Sequence, residues 1–282
     1  MEEIHREILS DNLPRYQECL EHAGLSKISV RKYIGDITRF LKYLREHDIR
    51  ELDGEIMNRY RKHLEIHCSL ISCNSYFISL NKYFKFISQP SFCMKLYRVA
   101  PKQSLENVLS LEEYYRLLRF TDNQRYYRSH MIMKTLGCTG IRISELKYIT
   151  YESLLAKKTF VTAKSRTRTV YFSEELCRKL LDYCQRNRIE SGVIFHARGS
   201  RRPLENGNIW RALKAIARKT GVDEKKVYPH SFRHLFAKTY IEKFNALAEL
   251  ADILGHTSIE TTRIYTRTTG EEKRERLNLL GL

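Results

Sequence analysis

The chain has 282 residues, 42% of them hydrophobic, enough for one or two domains with sizeable cores. Lys and Arg exceed Asp and Glu by 17, a balance that fits a polyanionic partner such as nucleic acid, against the plainer reading of a merely basic soluble enzyme. Seven cysteines without a Cys-x-x-Cys pair argue against a disulfide framework and a thiolate metal site, and for a reducing cytosol; an apolar leader and a membrane-length apolar run of about 18–20 residues are both missing.

Residues 11–88 read as four helices. The first covers about 11–22 and is followed by Gly24. The second, about 29–46, places Ile34, Ile37, Phe40, Leu41 and Leu44 at helical spacing. Asp53 is an N-cap for the third, which carries Ile56, Tyr60 and Leu64. The fourth, about 70–87, shows Tyr76, Leu80, Tyr83, Phe84 and Ile87. Cations on the outer faces, Lys32 and Arg39 among them, read singly as a solvated surface and together as a phosphate-tracking one. Pro90, Pro101 and mixed polarity mark a linker over 89–105, so the domains are expected at 1–100 and 106–282. The charge is uneven: +4 over residues 1–104 and +13 over 105–282.

Ser110-Leu111-Glu112-Glu113 is a capping box that opens the second domain. A helix over about 125–137 leads to Thr139-Gly140-Ile141-Arg142-Ile143-Ser144-Glu145-Leu146, where Arg142 and Glu145 stand three apart at the start of another helix. As a local ion pair they contribute little; as a functional pair, Glu145 holds the Arg142 fork ready for a phosphate. Thr159–Ala163 and Thr169–Phe172 read as a hairpin around a basic turn, Lys164-Ser165-Arg166-Thr167-Arg168. Helices at about 174–187 and 206–219 flank a short strand at 193–195 and a basic loop containing Arg201 and Arg202. Arg211 and Lys214 lie on one side of the second of these helices, and Trp210, the only Trp, is assigned to the core. Helices over about 231–243 and 246–254 follow. Gly255 then suits a left-handed helix end, Thr257–Glu260 reads as a capping box, and 271–280 as a short amphipathic helix. The whole predicts a mainly α protein with a small β-sheet.

The residues with chemistry are Arg142, Lys164, His230-x-x-Arg233-His234, Leu254-Gly255-His256 and Tyr265, nine residues past His256. His230 and Arg233 share a helix face. Two arginines and two histidines make a site for an anion, and a nearby Tyr supplies a candidate nucleophile. In this order the motifs resemble the tyrosine recombinase/integrase family, most specifically across about 137–266. The resemblance implies a helical core-binding, DNA-binding domain followed by a mixed α/β catalytic domain. It implies that Arg142 and Arg233 bind the scissile phosphate, Tyr265 attacks it, Lys164 is the general acid, His230 assists proton transfer, and His256 hydrogen-bonds the phosphate. Glu145 supports Arg142, and His234 reads equally as a packed or a functional histidine. Ser165 stands where the family usually has Gly, in a turn one residue short, which leaves Lys157 and Lys158 as alternatives to Lys164.

The activity so implied is site-specific DNA recombination through a 3′-phosphotyrosyl intermediate and a Holliday junction, without metal or other cofactor. Its partners are double-stranded DNA with paired inverted sites and further copies of the chain, a dimer on each site and a tetramer in the synapse, in the cytoplasm. The length suits a simple two-domain enzyme of the Xer-like, invertase or mobile-element type. DNA contacts are expected from Lys32, Arg39, Arg166, Arg168, Arg201, Arg202, Arg211 and Lys214. The rivals are a type IB topoisomerase-like enzyme and a DNA-binding regulator or architectural protein that does not cut. A zinc protein built on His230 and His234 lacks a credible third ligand.

Overall fold

A computed structural model describes residues 4–99, 107–163, 166–197, 199–256, 258–266, 274 and 278–279 of the chain, with the side chains of 163 and 166 left out. The expected helix over 271–280 lies outside the described residues but for three positions. The chain divides into two compact units, Met1–Pro101 and Lys102–Leu282.

The first unit is helical. A two-residue strand β1 (Ile4–His5) leads into α1 (Arg6–Asp11), α2 (Leu13–His22) and α3 (Lys27–Glu46). Strand β2 (Glu51–Leu52) pairs antiparallel with β1, and α4 (Gly54–His67) and α5 (Leu70–Phe86) complete the bundle. The β1–β2 pair was not expected from the sequence; it is too short to show a period. Ser26, Asp53 and Ser69 each cap a helix by accepting a backbone N–H three residues on, the Asp53 bond being 2.7 Å. Ile37, Phe40, Leu41 and Leu44 of α3 turn one stripe inward, onto a core that also holds Tyr60 of α4 and Phe77, Leu80 and Phe84 of α5. Each side chain so buried stabilises the fold by about 1.5–3 kcal/mol relative to exposure. The Phe40 ring meets Tyr60 at a centroid distance of 4.7 Å.

In the second unit the Ser110–Glu113 capping box is present and opens α6 (Leu111–Thr121). Then come α7 (Tyr127–Thr139), a 3-10 helix at Ile143–Tyr148, α8 (Tyr151–Leu155) and the hairpin of β3 (Lys158–Ala163) and β4 (Arg166–Tyr171). After these follow α9 (Glu174–Arg186), α10 (Asn206–Thr220), α11 (Pro229–Phe244), α12 (Leu247–Leu254) and α13 (Ile259–Thr262), with a final 3-10 turn at Arg263–Tyr265. The main core gathers Leu117, Met133, Leu136, Leu180, Leu213 and Phe232 among others. A separate small cluster, Ala237, Ile241, Leu250, Leu254 and Tyr265, lies where the second half of α11 meets α12 and the last 3-10 turn.

Several expectations are corrected. β4 begins at Arg166, with Ala163 opposite Arg166 and Thr162 opposite Thr167, so the turn is two residues rather than five. Thr167, Thr169 and Tyr171 alternate with Arg168 and Val170, and that period of two continues the strand through the basic residues. Residues 143–148 wind as a 3-10 helix. The expected strand at 193–195 reduces to isolated bridges, Thr150 with Val193 and His196 with Pro203. Trp210 is 47% exposed, because the inner stripe of α10 is filled by Ile209, Leu213, Ile216 and Ala217. The last short helix is capped by Ser258, which accepts from Glu260 N; Thr257, expected to open a capping box, lies outside the described residues.

Candidate active site

Gly140 ends α7 in the left-handed conformation, φ 61°. A Cβ there would also lie 2.5 Å from Phe236 Cδ1, so the turn requires glycine on both counts. The turn delivers Arg142 to the start of the 3-10 helix, with its side chain 33% exposed. Glu145, 3% exposed, accepts the Arg142 backbone N–H at 2.7 Å and its Nη1 at 3.1 Å. The same carboxylate accepts Nη1 and Nη2 of Arg168 at 2.9 and 2.8 Å. Burial pushes the Glu145 carboxyl up, but the hydrogen bonds from Arg168 and the Arg142 backbone outweigh it and hold the group below the ordinary carboxylate range.

Arg168 is therefore an internal strut. Its Nε also donates to the Ile253 carbonyl at 3.1 Å, and a Cβ on Gly255 would lie 2.6 Å from its Cδ. Among the described residues it is the largest departure from the sequence reading, which placed it on DNA. Its spacing of two from Val170, buried on the same strand face, is the signal that would have turned it inward.

Arg233 is 1% exposed. Its Nη1 donates to Gly140 O at 2.7 Å and its Nη2 to Leu254 O at 2.6 Å, so one guanidinium satisfies carbonyls at the ends of two helices. Burial, then the charge of Arg142, pulls its pKa down to about 9. Gly255, φ 64°, ends α12 and turns the chain to His256, whose Nδ1 lies 2.7 Å from Thr262 Oγ1. Burial, followed by Arg233 and Arg142, lowers His256 to about 4. His230 stands at the open rim of α11; partial desolvation of its ring and the charges of Arg233 and Arg142 lower it as well.

Tyr265 is 8% exposed and its hydroxyl is pushed up to about 12 by burial, against the pull of Arg233. The hydroxyl lies 2.8 Å from His234 Nδ1. His234 is lowered to about 4 by burial, then by His230 and Arg233.

Arg142 and Arg233 thus act electrostatically on His230, His256 and Tyr265, and Glu145 bonds Arg142. Lys164 and the Arg166 side chain lie outside the described residues. Lys157, one alternative to Lys164, pairs with Glu174 at 2.7 Å, and Lys158 stands opposite Tyr171; both are at the hairpin end away from its turn. The other candidate cations are dispersed. Lys32 bonds Asp36 at 2.6 Å and Ser79, and Arg39 bonds the Tyr76 hydroxyl, both within the first unit. Arg201, Arg202 and Arg211 are exposed in the second, while Lys214 bonds the Glu224 carbonyl and lies 4.6 Å from the Trp210 ring centroid.

Three guanidinium groups, those of Arg142, Arg168 and Arg233, surround the single carboxylate of Glu145. The cluster carries two unmatched positive charges in a place where charge is poorly solvated, which defines a site for an anion beside a tyrosine hydroxyl. Residues 107–272 match the phage integrase family, and residues 13–90 match the N-terminal SAM-like domain of phage integrases. The chain belongs to the phage integrase family, that of the tyrosine recombinases. It is 29% identical over 280 residues to the tyrosine recombinase XerA of Pyrococcus furiosus, covering 96% of this chain and 95% of that one. Its fold resembles XerH recombinase bound to its difH substrate before cleavage, with a TM-score of 0.69 at 18% identity over 94% of this chain and 83% of that one. It also resembles a lambda integrase dimer bound to a core site, with a TM-score of 0.73 at 16% identity over 93% and 77% of the two chains.

Proposed function

We propose that this chain is a site-specific DNA recombinase that breaks and rejoins strands through Tyr265. The observation that carries the reading is the excess of buried guanidinium charge beside a buried phenol. Arg233, fixed by two carbonyls, and Arg142, braced by Glu145, bind the non-bridging oxygens of one phosphodiester between them. Donors fixed in advance of the reaction stabilise the charge that grows on the non-bridging oxygens in the transition state. With Thr262 donating to Nδ1, His256 carries its proton on Nε2 and donates it to a phosphate oxygen.

Tyr265 Oη attacks the phosphorus, forming a 3′-phosphotyrosine, and the P–O5′ bond breaks. Lys164 protonates the leaving 5′ oxygen, and His230 assists proton transfer. The phosphotyrosine keeps the bond energy for religation by another 5′-hydroxyl. The substrate is double-stranded DNA with paired inverted sites, bound by a dimer on each site and a tetramer in the synapse, in the cytoplasm. Among the described residues no helix is long and apolar enough to cross a membrane.

The test is covalent trapping on a nicked suicide duplex carrying the repeats that flank the protein's own locus, in EDTA and without ATP. A slow-migrating adduct on a denaturing gel is expected for the wild type and not for Tyr265→Phe, with both binding the duplex equally. No wild-type adduct despite tight binding would sink the reading in favour of a DNA-binding protein that does not cut, and an absolute need for a divalent metal would refute the proposed site.

A further inference from the structure

We propose that His234 is the general base for Tyr265, accepting the phenolic proton on Nδ1 as the tyrosine attacks. The inference rests on the recombinase reading and assigns a residue that reading leaves without a role. Among the described residues, His234 is the hydrogen-bond partner of the Tyr265 hydroxyl, at 2.8 Å. That is already the distance a base needs to the proton it removes. The other histidines are placed differently. His256 commits Nδ1 to Thr262, and His230 meets His234 edge-on with ring centroids 5.2 Å apart.

The protonation states agree with the geometry. The phenol, near 12, is protonated at neutral pH, and the imidazole, near 4, is neutral. Tyr265 therefore donates, Nδ1 accepts, and the His234 proton resides on Nε2. The charged and titratable groups that act on His234 are His230 and Arg233; those on Tyr265 are Arg233, Tyr228 and Arg142. Arg233 depresses the basicity of His234 in the empty site. A phosphodiester bound at Arg233 offsets that charge, so His234 gains basicity as substrate arrives. In the step itself the Tyr265 Oη–P bond forms and P–O5′ breaks. The phenolic proton passes to His234 Nδ1, while the general acid's proton goes to O5′. Religation runs the same transfers backwards.

The experiment compares single-turnover cleavage of two suicide duplexes, one with the ordinary 5′ oxygen and one with sulfur bridging at that position. A sulfur leaving group needs no proton, so it separates the base from the acid. His234→Phe keeps a ring of similar size without an acceptor and is expected to slow cleavage at least about 100-fold on both duplexes with unchanged DNA affinity. Lys164→Ala, by contrast, recovers on sulfur. The wild-type rate should reach a plateau with rising pH, while the His234→Phe rate keeps climbing as the phenol itself ionises. His234→Asn offers a hydrogen-bond acceptor that is not a base, and should stay slow with the same altered profile. Wild-type rates in His234→Phe, recovery of His234→Phe on sulfur, or restoration of rate and profile by His234→Asn would each overturn the assignment. Should His234→Phe fail to fold, the asparagine variant decides alone. A wild-type protein that forms no adduct on either duplex would instead indict the recombinase reading itself.

Discussion

The two units handle charge in opposite ways. Among the described residues, the first unit buries no charged side chain, and its cations lie outside, Arg39 over the Tyr76 ring and Lys82 over Tyr33. The second unit buries Glu145 and Arg233 outright and encloses most of Arg168. A buried ion that loses its partner destabilises strongly, and ion pairs are poor stabilisers in exchange for that risk. The second unit's internal charges therefore mark the candidate site, while the first unit keeps its charges at the surface.

The sharpest way to break this contrast is Arg168→Leu. It removes a bidentate partner from a buried carboxylate and should destabilise the second unit by about 3–5 kcal/mol. Trp210 fluorescence reads that unit specifically, since it holds the only Trp. Cleavage should also fall, on the order of 100-fold, because Glu145 no longer orients Arg142 and the α12 end shifts. Wild-type unfolding in this variant would show that the buried network contributes nothing.

Next in size is the pH response. His234 and His256 sit near 4 in the folded protein against an ordinary 6.5, so between those values the unfolded chain binds more protons. Stability is thus greatest above about 6.5 and is lost as pH falls towards 4. Both side chains are partly screened by solvent, so a loss of about 1–2 kcal/mol from pH 7 to 5 is expected, measured by urea midpoints. His234→Asn should reduce it; an unchanged slope would exclude this histidine as the source.

The smallest effect is expected in the first unit. Arg39→Ala should change stability by less than about 0.5 kcal/mol. If its guanidinium meets a phosphate, the slope of log affinity against log salt should fall by about 1, with cleavage at saturating DNA unaffected. An unchanged slope would mean that Arg39 serves Tyr76 and not DNA.

The helices of the first unit were legible because apolar residues such as Ile37, Phe40 and Leu44 repeat at 3.6 and Asp53 caps where a cap belongs. In the second unit the Gly140-x-Arg142 turn and the Gly255-His256 turn were legible because both glycines carry positive φ, a demand that shows in sequence. What stayed hidden depends on contacts across the sequence. Arg168 reaches Glu145, 23 residues away, and His234 reaches Tyr265, 31 away. Local composition read the first as a turn cation and left the second undecided. Trp210 was assigned to the core, whereas the phase of α10 puts its neighbour Ile209 inside. The hairpin strands were visible, but counting the basic run as loop masked its period of two.

The small cluster of Ala237, Ile241, Leu250, Leu254 and Tyr265 has a consequence for how the site moves. Sub-global opening follows local packing, and five buried side chains hold less than the main core does. Tyr265, the candidate nucleophile, packs in the smaller cluster, whose local opening is expected to cost less than that of the larger core beside Arg142 and Glu145, where Leu146 is buried. The hydroxyl proposed to react is thus held by the smaller of the two packed clusters, and the Arg142–Glu145 pair by the larger.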